Sequence, residues 1–198
     1  MKTMSRVEVA VYQEPKNGNE DCGDSYFYRE TEKQFICALA DGLGSGEYAK
    51  ESSDIVINII KENIDYTVEE IVKKCNQQLL GKRGAVLAIL KIDFSTNSYT
   101  ISTIGNIGVM TVWGEDSRKR YIPNAGYLAG YKRDFKVTHE PLVEKMNIIM
   151  YTDGVKDKEL RNNYFYYEDV DRITDSYALR SEKKRDDDTT LIAIRYKG

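Results

Sequence analysis

The sequence predicts an α+β layered sandwich, and the grouping of its strand and helix patterns carries this prediction. Apolar and β-branched runs occur in one group near the start of the chain and in a larger group after residue 84. Between the groups, apolar residues recur at helical spacing in two consecutive segments. Antiparallel runs of strands with paired helices between them are typical of this class.

The first group of strands leads into the two helices. The strands are predicted at residues 7–13, 25–29 and 34–40. The first helix follows Ser45, and its apolar positions extend to Ile60. The second helix follows Thr67, which is predicted as the N-cap because Glu70 stands at the capping-box position.

The second group contains six further strands. They are predicted at residues 85–93, 99–104, 108–113, 119–122, 135–139 and 147–151. Residues 95–97 are the predicted hairpin turn between the first two of these strands. A helix over residues 167–179 and a strand over residues 189–196 complete the prediction.

Size and charge narrow the possible functions. With 198 residues and no Pro-, Gly- or Ser-rich linker, the chain is expected to form a single domain, residues 1–198. Its 29 basic and 32 acidic residues are interspersed, so neither a nucleic-acid nor a membrane partner is expected. No run is apolar enough to span a bilayer, and residues 1–6 lead directly into a strand-like run. We therefore expect a cytoplasmic, monomeric protein.

Three aspartates stand at the ends of apolar, strand-like runs. Asp41 and Asp153 each close a run and precede a glycine, whereas Asp187 precedes the last run. A carboxylate at the end of a buried strand is a poor core residue and a good ligand for a hard cation such as Mg²⁺ or Mn²⁺. Each Asp-Gly pair alone is an ordinary turn signal. Together, the three aspartates predict one shared metal site.

Other chemistries find less support in the sequence. The single histidine, His139, has no accompanying GxSxG motif for a serine nucleophile. The three cysteines lack CxxC spacing and the closely following arginine of a cysteine phosphatase, which indicates reduced, unreactive thiols. Residues 186–190 match the DxDxT pattern of aspartate-nucleophile phosphatases, but they precede the last strand instead of following an early one.

Six short segments, in this order, carry a resemblance to a known family. They are Cys22-Gly23-Asp24, Asp41-Gly42-Leu43-Gly44-Ser45-Gly46, Lys82-Arg83-Gly84-Ala85, Ile104-Gly105-Asn106, Thr152-Asp153-Gly154 and Asp187-Asp188-Thr189-Thr190. Their order resembles that of the PPM-type metal-dependent serine/threonine protein phosphatases, from about residue 20 onward.

The resemblance implies a fold and a set of metal ligands. The fold is a four-layer sandwich, in which two antiparallel β-sheets pack face to face and are flanked by α-helices. By resemblance, Asp41 bridges two Mg²⁺ or Mn²⁺ ions, the Gly42 carbonyl completes one coordination sphere, and Asp153 and Asp187 bind the other ion. Asp24 matches an acidic position that orients metal-bound water. Two such ions hold a shared water for in-line displacement on phosphoserine.

Two departures from the family pattern concern substrate binding. Larger members carry an arginine upstream of the Asp24 position that clamps the phosphate, and residues 17–23 contain none. Arg83 is a candidate for that role through a bidentate contact, while the alternative is that Lys82 and Arg83 form a solvated basic pair. Asn106 replaces an aspartate that helps to hold a third ion in many members. We therefore expect two ions, with Asn106 orienting water beside the substrate.

The resemblance also implies a function. It implies hydrolysis of phosphoserine or phosphothreonine on phosphorylated regulatory proteins, with stressosome scaffold proteins as substrates, in negative feedback on the general stress response. The alternative is a non-catalytic, phosphatase-like binding module. The intact acidic positions favour the enzyme, because a protein without catalysis is free to lose unpaired acidic groups.

Overall fold

A computed structural model describes residues 5–198; residues 1–4, at the start of the predicted domain, lie outside the described residues. The strands are β1 (Val7–Glu14), β2 (Asp24–Glu30), β3 (Gln34–Gly42), β4 (Ala85–Asp93), β5 (Ser98–Ile104), β6 (Gly108–Trp113), β7 (Ser117–Arg120), β8 (Thr138–Pro141), β9 (Asn147–Tyr151) and β10 (Thr189–Tyr196). The helices are α1 (Glu47–Glu62), α2 (Val68–Gln78) and α3 (Val170–Arg180). Within residues 5–198, no helix is long and apolar enough to cross a membrane.

The strands form two five-stranded sheets whose neighbouring strands are antiparallel. The first sheet has the order β1-β10-β9-β6-β7, and the second has the order β2-β3-β4-β5-β8. Apolar side chains from both sheets, such as Leu39 and Ile192, form one buried cluster between them. Helices α1 and α2 cover the outer face of the second sheet, and α3 covers that of the first. The predicted α+β four-layer sandwich is therefore confirmed.

Strand β3 is apolar throughout because both of its faces are buried. Cys37 and Leu39 belong to the cluster between the sheets, whereas Ile36 and Ala40 belong to the cluster beneath α1 and α2. Successive side chains of a strand point to opposite faces, so a strand covered on both sides reads as a continuous apolar run. This run ends at Asp41, at the edge of the buried region.

Side-chain caps set where two of the helices begin. Helix α2 begins as predicted: the Thr67 hydroxyl accepts from the backbone N–H of Glu70 at 3.3 Å, and the Glu70 carboxylate accepts from the backbone N–H of Thr67 at 2.9 Å. Helix α3 begins at Val170, later than predicted. The Asp169 carboxylate caps it by accepting from the backbone N–H of Asp171 at 2.9 Å.

The predicted bounds of two strands are wrong. Strand β7 begins before the predicted residues 119–122, because a tight turn after β6 pairs Trp113 with Ser117. Strand β8 begins after residue 137, not at residue 135. Phe135 is apolar because it packs beside the cluster under α1 and α2, not because it belongs to a strand. The hairpin turn at residues 95–97 lies where it was predicted.

A buried ion pair joins the loop after β9 to the loop before β10. Arg185 and Glu159 are 3% and 6% exposed, and Arg185 Nη1 lies 3.9 Å from Glu159 Oε1. The Tyr177 hydroxyl of α3 donates to the same carboxylate at 3.2 Å. Asp153 lies in the first of these loops and Asp187 in the second. The pair therefore fixes the relative position of two loops that carry predicted metal ligands.

Removing Glu159 should destabilise the fold. In Glu159→Gln, the buried Arg185 guanidinium loses its buried anionic partner and keeps only the half-exposed Glu14 at 3.5 Å, so we expect the free energy of unfolding to fall by about 2 kcal/mol. Urea denaturation measures the change. Glu182→Gln is the matched control, because Glu182 pairs with Lys158 at the surface and its loss should have little effect. Equal effects of the two substitutions would contradict the structural role of the buried pair.

Candidate metal centre

The register of two adjacent strands brings the first two carboxylates together. Asp24 is the first residue of β2 and Asp41 lies near the end of β3, and the two residues are direct partners in the antiparallel pairing. Side chains of directly opposed residues in such a pair point to the same face of the sheet. Asp24 is buried and Asp41 is partly exposed, so the two carboxylates lie at different depths.

Two threonines of the first sheet hold the Asp24 carboxylate. Its Oδ2 atom accepts hydrogen bonds from the hydroxyls of Thr152 at 2.9 Å and Thr190 at 2.6 Å. The backbone N–H of Thr190 donates to the Thr152 hydroxyl at 2.9 Å. The Oδ1 atom of Asp24 is buried and has no hydrogen-bond partner within the described chain. A buried carboxylate oxygen without a donor is the kind of atom that a cation or a water satisfies.

The Asp153 side chain is exposed and contacts the predicted water-orienting residue. Asn106 Nδ2 donates to Asp153 Oδ2 at 2.6 Å. Asn106 follows Gly105, whose φ of 92° favours glycine, in the turn between β5 and β6. Asn106 is therefore positioned beside one candidate ligand.

The two aspartates before β10 have different roles. The Asp188 carboxylate accepts from the backbone N–H groups of Lys16 at 2.8 Å and Gly23 at 2.9 Å, so it fastens the loop that leads to Asp24. The exposed Asp187 side chain accepts only from the backbone N–H of Asp188, at 2.9 Å, among the hydrogen bonds of the described residues. Asp187 is thus the member of this pair that remains available for a ligand.

Burial, and after it mutual repulsion, disfavours the charged forms of three of the carboxylates. Burial, followed by the nearby charges of Asp24, Asp153, Asp187 and Asp188, raises the pKa of Asp41 to about 8. Burial also raises the pKa of Asp24 to about 6, although its two threonine hydrogen bonds act in the opposite direction. Partial shielding from water and repulsion by Asp187 raise the pKa of Asp153. These effects show that the four predicted ligands share one electrostatic environment, in which a cation is favoured.

The residues of this site fit divalent cations in their chemistry. All of the side-chain donors are carboxylate oxygens, which suit Mg²⁺ and Mn²⁺. Gly42 packs so tightly that a Cβ would lie 1.7 Å from the Ala49 carbonyl oxygen, so only glycine is accommodated after Asp41. Within residues 5–198, however, no three His, Cys, Asp or Glu side chains converge closely enough to enclose an ion as they stand.

Arg83 lies at the rim of the site, against the loop that follows Asp41. A Cβ on Gly44 would lie 2.6 Å from Arg83 Nη1, and the Arg83 guanidinium stands over the Tyr48 ring at 5.2 Å from its centroid. Within the described residues, Arg83 takes part in no ion pair, whereas the neighbouring Lys82 pairs with Glu51 at 2.7 Å. Within residues 5–198, the predicted basic pair is thus divided: Lys82 forms an ion pair with Glu51, whereas Arg83 forms none and contacts the Tyr48 ring.

The sequence prediction missed three residues of the site. Thr152 and Thr190 hold Asp24, and Asp188 fastens the loop before it. Thr152 and Asp188 adjoin a predicted ligand in the sequence, and Thr190 lies three residues after Asp187, but no local pattern indicates their contacts with the distant segment that ends at Asp24. All seven predicted site residues lie in or beside this one region, and their assignment as ligands stays a prediction. They are Asp24, Asp41, Gly42, Asp153, Asp187, Asn106 and Arg83.

Comparisons with known proteins show the family and the fold of this chain. The family described as Stage II sporulation protein E (SpoIIE) matches residues 31–197. The chain is 34% identical to the phosphoserine phosphatase RsbX of Bacillus subtilis (strain 168) over 187 residues, which cover 94% of each chain. It also resembles the crystal structure of RsbX in complex with magnesium, with a TM-score of 0.86, 33% identity and coverage of 96% of this chain and 94% of that chain.

A more distant structure shares the fold. It comes from work on the bacterial stressosome as a modular system adapted to control secondary messenger signalling, and it matches with a TM-score of 0.83 and 23% identity. The match covers 96% of this chain and all of the other, 100%. The two-sheet architecture is therefore common to these proteins.

The stability of the metal-free protein should fall as the pH rises. The pKa of Asp41 lies near 8 in the folded protein, above its ordinary value of 3.8, so folding favours the protonated form. This contribution is complete below pH 3.8 and is lost as the pH rises through 8. We expect the melting temperature of metal-free wild type to decline over this range, and Asp41→Asn to reduce the decline.

Calorimetry in the presence of a chelator measures this difference. Asp116→Asn is the control, because Asp116 lies exposed in the turn between β6 and β7. The control should follow the wild-type curve. A curve for Asp41→Asn that coincides with wild type would contradict the electrostatic coupling at the site.

Proposed function

This chain belongs to the SpoIIE family, and from that premise we propose that it is a metal-dependent protein phosphatase acting on phosphoserine or phosphothreonine. The observation that carries the proposal is the cluster of Asp24, Asp41, Asp153 and Asp187 at one end of the two sheets. The raised pKa values of Asp24, Asp41 and Asp153 indicate that the charged forms of these carboxylates are disfavoured unless a cation is bound beside them.

In the proposed site, Asp41, the Gly42 carbonyl, Asp153 and Asp187 would hold two Mg²⁺ or Mn²⁺ ions. Such a pair of ions lowers the pKa of water and stabilises the attacking and leaving oxygens of an in-line displacement. The protein would position the attacking water through Asp24. Thr152 and Thr190 hold Asp24 Oδ2 by hydrogen bonds, so Oδ1 is available to accept a hydrogen bond from that water.

The chain's other nucleophiles lack the properties that catalysis requires. Burial raises the pKa of the Cys22 thiol to about 12, so it is protonated at neutral pH. Cys37 and Cys75 are buried in the core. His139 lies on β8, where its ring contacts the Thr100 hydroxyl at 3.0 Å. Direct attack by water, without a phosphoenzyme, therefore suits this chain best.

A non-catalytic binding module is the competing function. It is disfavoured by the cost of keeping Asp24 buried with one unsatisfied oxygen and Asp41 at a raised pKa. A protein that only binds a partner has no physical reason to retain such a cluster. Chelator-sensitive turnover distinguishes the two functions.

We extend the proposal to substrates and setting. The substrates are phosphorylated regulatory proteins, and the family resemblance described above points to stressosome scaffold proteins and to negative feedback on the general stress response. In this proposal the chain acts in the cytoplasm as a monomer, with residues 1–198 forming one phosphatase domain.

Catalysis should depend on Asp187 and on added metal. With Mn²⁺, we expect the wild type to release phosphate from a phosphoserine protein and from an aryl phosphate, and EDTA to stop both reactions. Asp187→Asn should lower kcat/KM at least about 100-fold, or ~2.7 kcal/mol in transition-state stabilisation, through weaker metal binding.

Asp186→Asn is the matched control for that experiment. Asp186 is an exposed aspartate in the same loop, and it is not a predicted ligand. Calorimetric titration with Mn²⁺ should show weaker binding in Asp187→Asn and wild-type binding in Asp186→Asn. Phosphate release that survives EDTA, or equal metal affinity in both variants, would rule out the assignment of Asp187.

Arg83 is the proposed phosphate clamp, and its chemistry is testable. An ammonium group cannot make the paired contact of a guanidinium, so Arg83→Lys should raise KM for a phosphoserine protein about tenfold, or ~1.4 kcal/mol. Metal affinity should not change. Lys82→Gln, which breaks a surface ion pair one residue away, should leave KM near the wild-type value. Unchanged kinetics of Arg83→Lys at low salt would contradict the clamp and support the alternative that Arg83 is a solvated surface residue.

A further inference from the structure

Four large apolar side chains near the candidate metal centre are strongly exposed. Tyr48, Leu80, Tyr127 and Tyr131 expose 63%, 65%, 51% and 75% of their surfaces, respectively. We call these four residues the tyrosine surface. Aromatic side chains are enriched where proteins bind other proteins, and an exposed apolar group near a site is an indicator of such contact.

Close backbone packing shows that three segments form the tyrosine surface side by side. A Cβ on Gly84 would lie 3.0 Å from Tyr127 Cδ2 and 3.3 Å from Leu43 Cδ1. A Cβ on Gly130 would lie 2.6 Å from the Cα atom of Leu80. The glycines at these two positions therefore permit the loop after α2 to lie between the loop after β3 and residues 127–131.

The segment that carries Tyr127 and Tyr131 is firmly held by polar contacts. Asn76 Oδ1 accepts from the backbone N–H of Gly130 at 3.0 Å, and Asn76 Nδ2 donates to the Tyr131 carbonyl at 2.7 Å. Arg133 Nη1 donates to the Tyr127 carbonyl at 2.9 Å. The backbone of this segment is held in place while the two rings are exposed to solvent. Because the backbone is already ordered, little conformational entropy would be lost when a partner binds.

The tyrosine surface is continuous with the loop that follows Asp41. The backbone N–H of Leu43 donates to the Gly84 carbonyl at 3.0 Å, two residues after Asp41. Arg83 stands between the two regions, with its guanidinium over the Tyr48 ring and against Gly44. A phosphate bound near Asp41 would thus have the Arg83 guanidinium beside it, and the tyrosine surface would lie beyond Arg83.

We propose that the tyrosine surface docks the phosphoprotein substrate, through a segment that flanks the phosphoserine and presents apolar side chains. This inference rests on the proposed phosphatase function. The phosphate dianion complements Arg83, and the apolar flank of the substrate complements Tyr127 and Tyr131. Binding energy from the flanking segment would then distinguish a protein substrate from a small phosphate ester.

The double substitution Tyr127→Ser/Tyr131→Ser tests this surface. The substrates are a serine-phosphorylated stressosome scaffold protein and p-nitrophenyl phosphate, which carries no peptide segment beside its phosphate. The ratio of kcat/KM for the protein to kcat/KM for the small ester should fall about 10- to 100-fold. Removal of an interface aromatic group typically has an effect of this size.

Leu179→Ser is the matched control. Leu179 is 86% exposed on α3, which covers the opposite outer face of the sandwich. This substitution removes a comparable exposed apolar group, and it should leave the substrate ratio at the wild-type value. Calorimetric titration of the phosphorylated scaffold protein into each variant measures docking without turnover, and only the double tyrosine variant should bind more weakly.

The two measurements separate docking from catalysis. If wild type binds the phosphoprotein in a tyrosine-dependent way without releasing phosphate, docking stands and the proposed enzymatic function fails. Three results would overturn docking. The first is binding of the phosphoprotein that does not depend on the tyrosines. The second is an equal loss of kcat/KM toward both substrates. The third is a dimeric wild type that becomes monomeric in the double variant, which would assign the surface to contact between copies of this chain.

Discussion

The hydrogen-bonded carboxylate of Asp24, at the seam between the two sheets, is the interaction on which the site depends. Asp24 starts β2 in the second sheet, and its two hydroxyl donors, Thr152 and Thr190, adjoin or lie on strands of the first sheet. A buried carboxylate is costly unless it is hydrogen bonded, so both sheets must meet here in one register. That register also sets the spacing of Asp41, Asp153 and Asp187.

The fold holds several aspartate carboxylates close enough that their negative charges repel one another. Asp41 bears the largest cost, since burial and four neighbouring aspartates disfavour its charged form. Structural elements away from the carboxylates hold them there: the buried pair of Arg185 and Glu159 connects two ligand-bearing loops, and Gly42 packs against α1. Functional sites commonly keep arrangements that destabilise the fold, and the buried, mutually repelling carboxylates of this cluster are such an arrangement.

Local patterns explain why much of the fold was predictable from sequence. The capping box at Thr67 and the uninterrupted apolar run of β3 are each determined by neighbouring residues. The aspartates at strand ends were predictable for the same reason. The threonine donors to Asp24 were not, because their partners lie 128 and 166 residues away in the chain. The errors at β7 and β8 likewise arose from turn geometry and packing, which single-strand patterns do not encode.

Anomalous scattering from crystals grown with Mn²⁺ tests the central claim most directly. The two-metal assignment predicts two adjacent anomalous peaks, both in contact with Asp41, one of them also bound by the Gly42 carbonyl and the other by Asp153 and Asp187. The Asp24 carboxylate should lie beside the peaks, still held by Thr152 and Thr190. Well-ordered crystals with no peak at these carboxylates, or with peaks only elsewhere, would contradict the assignment.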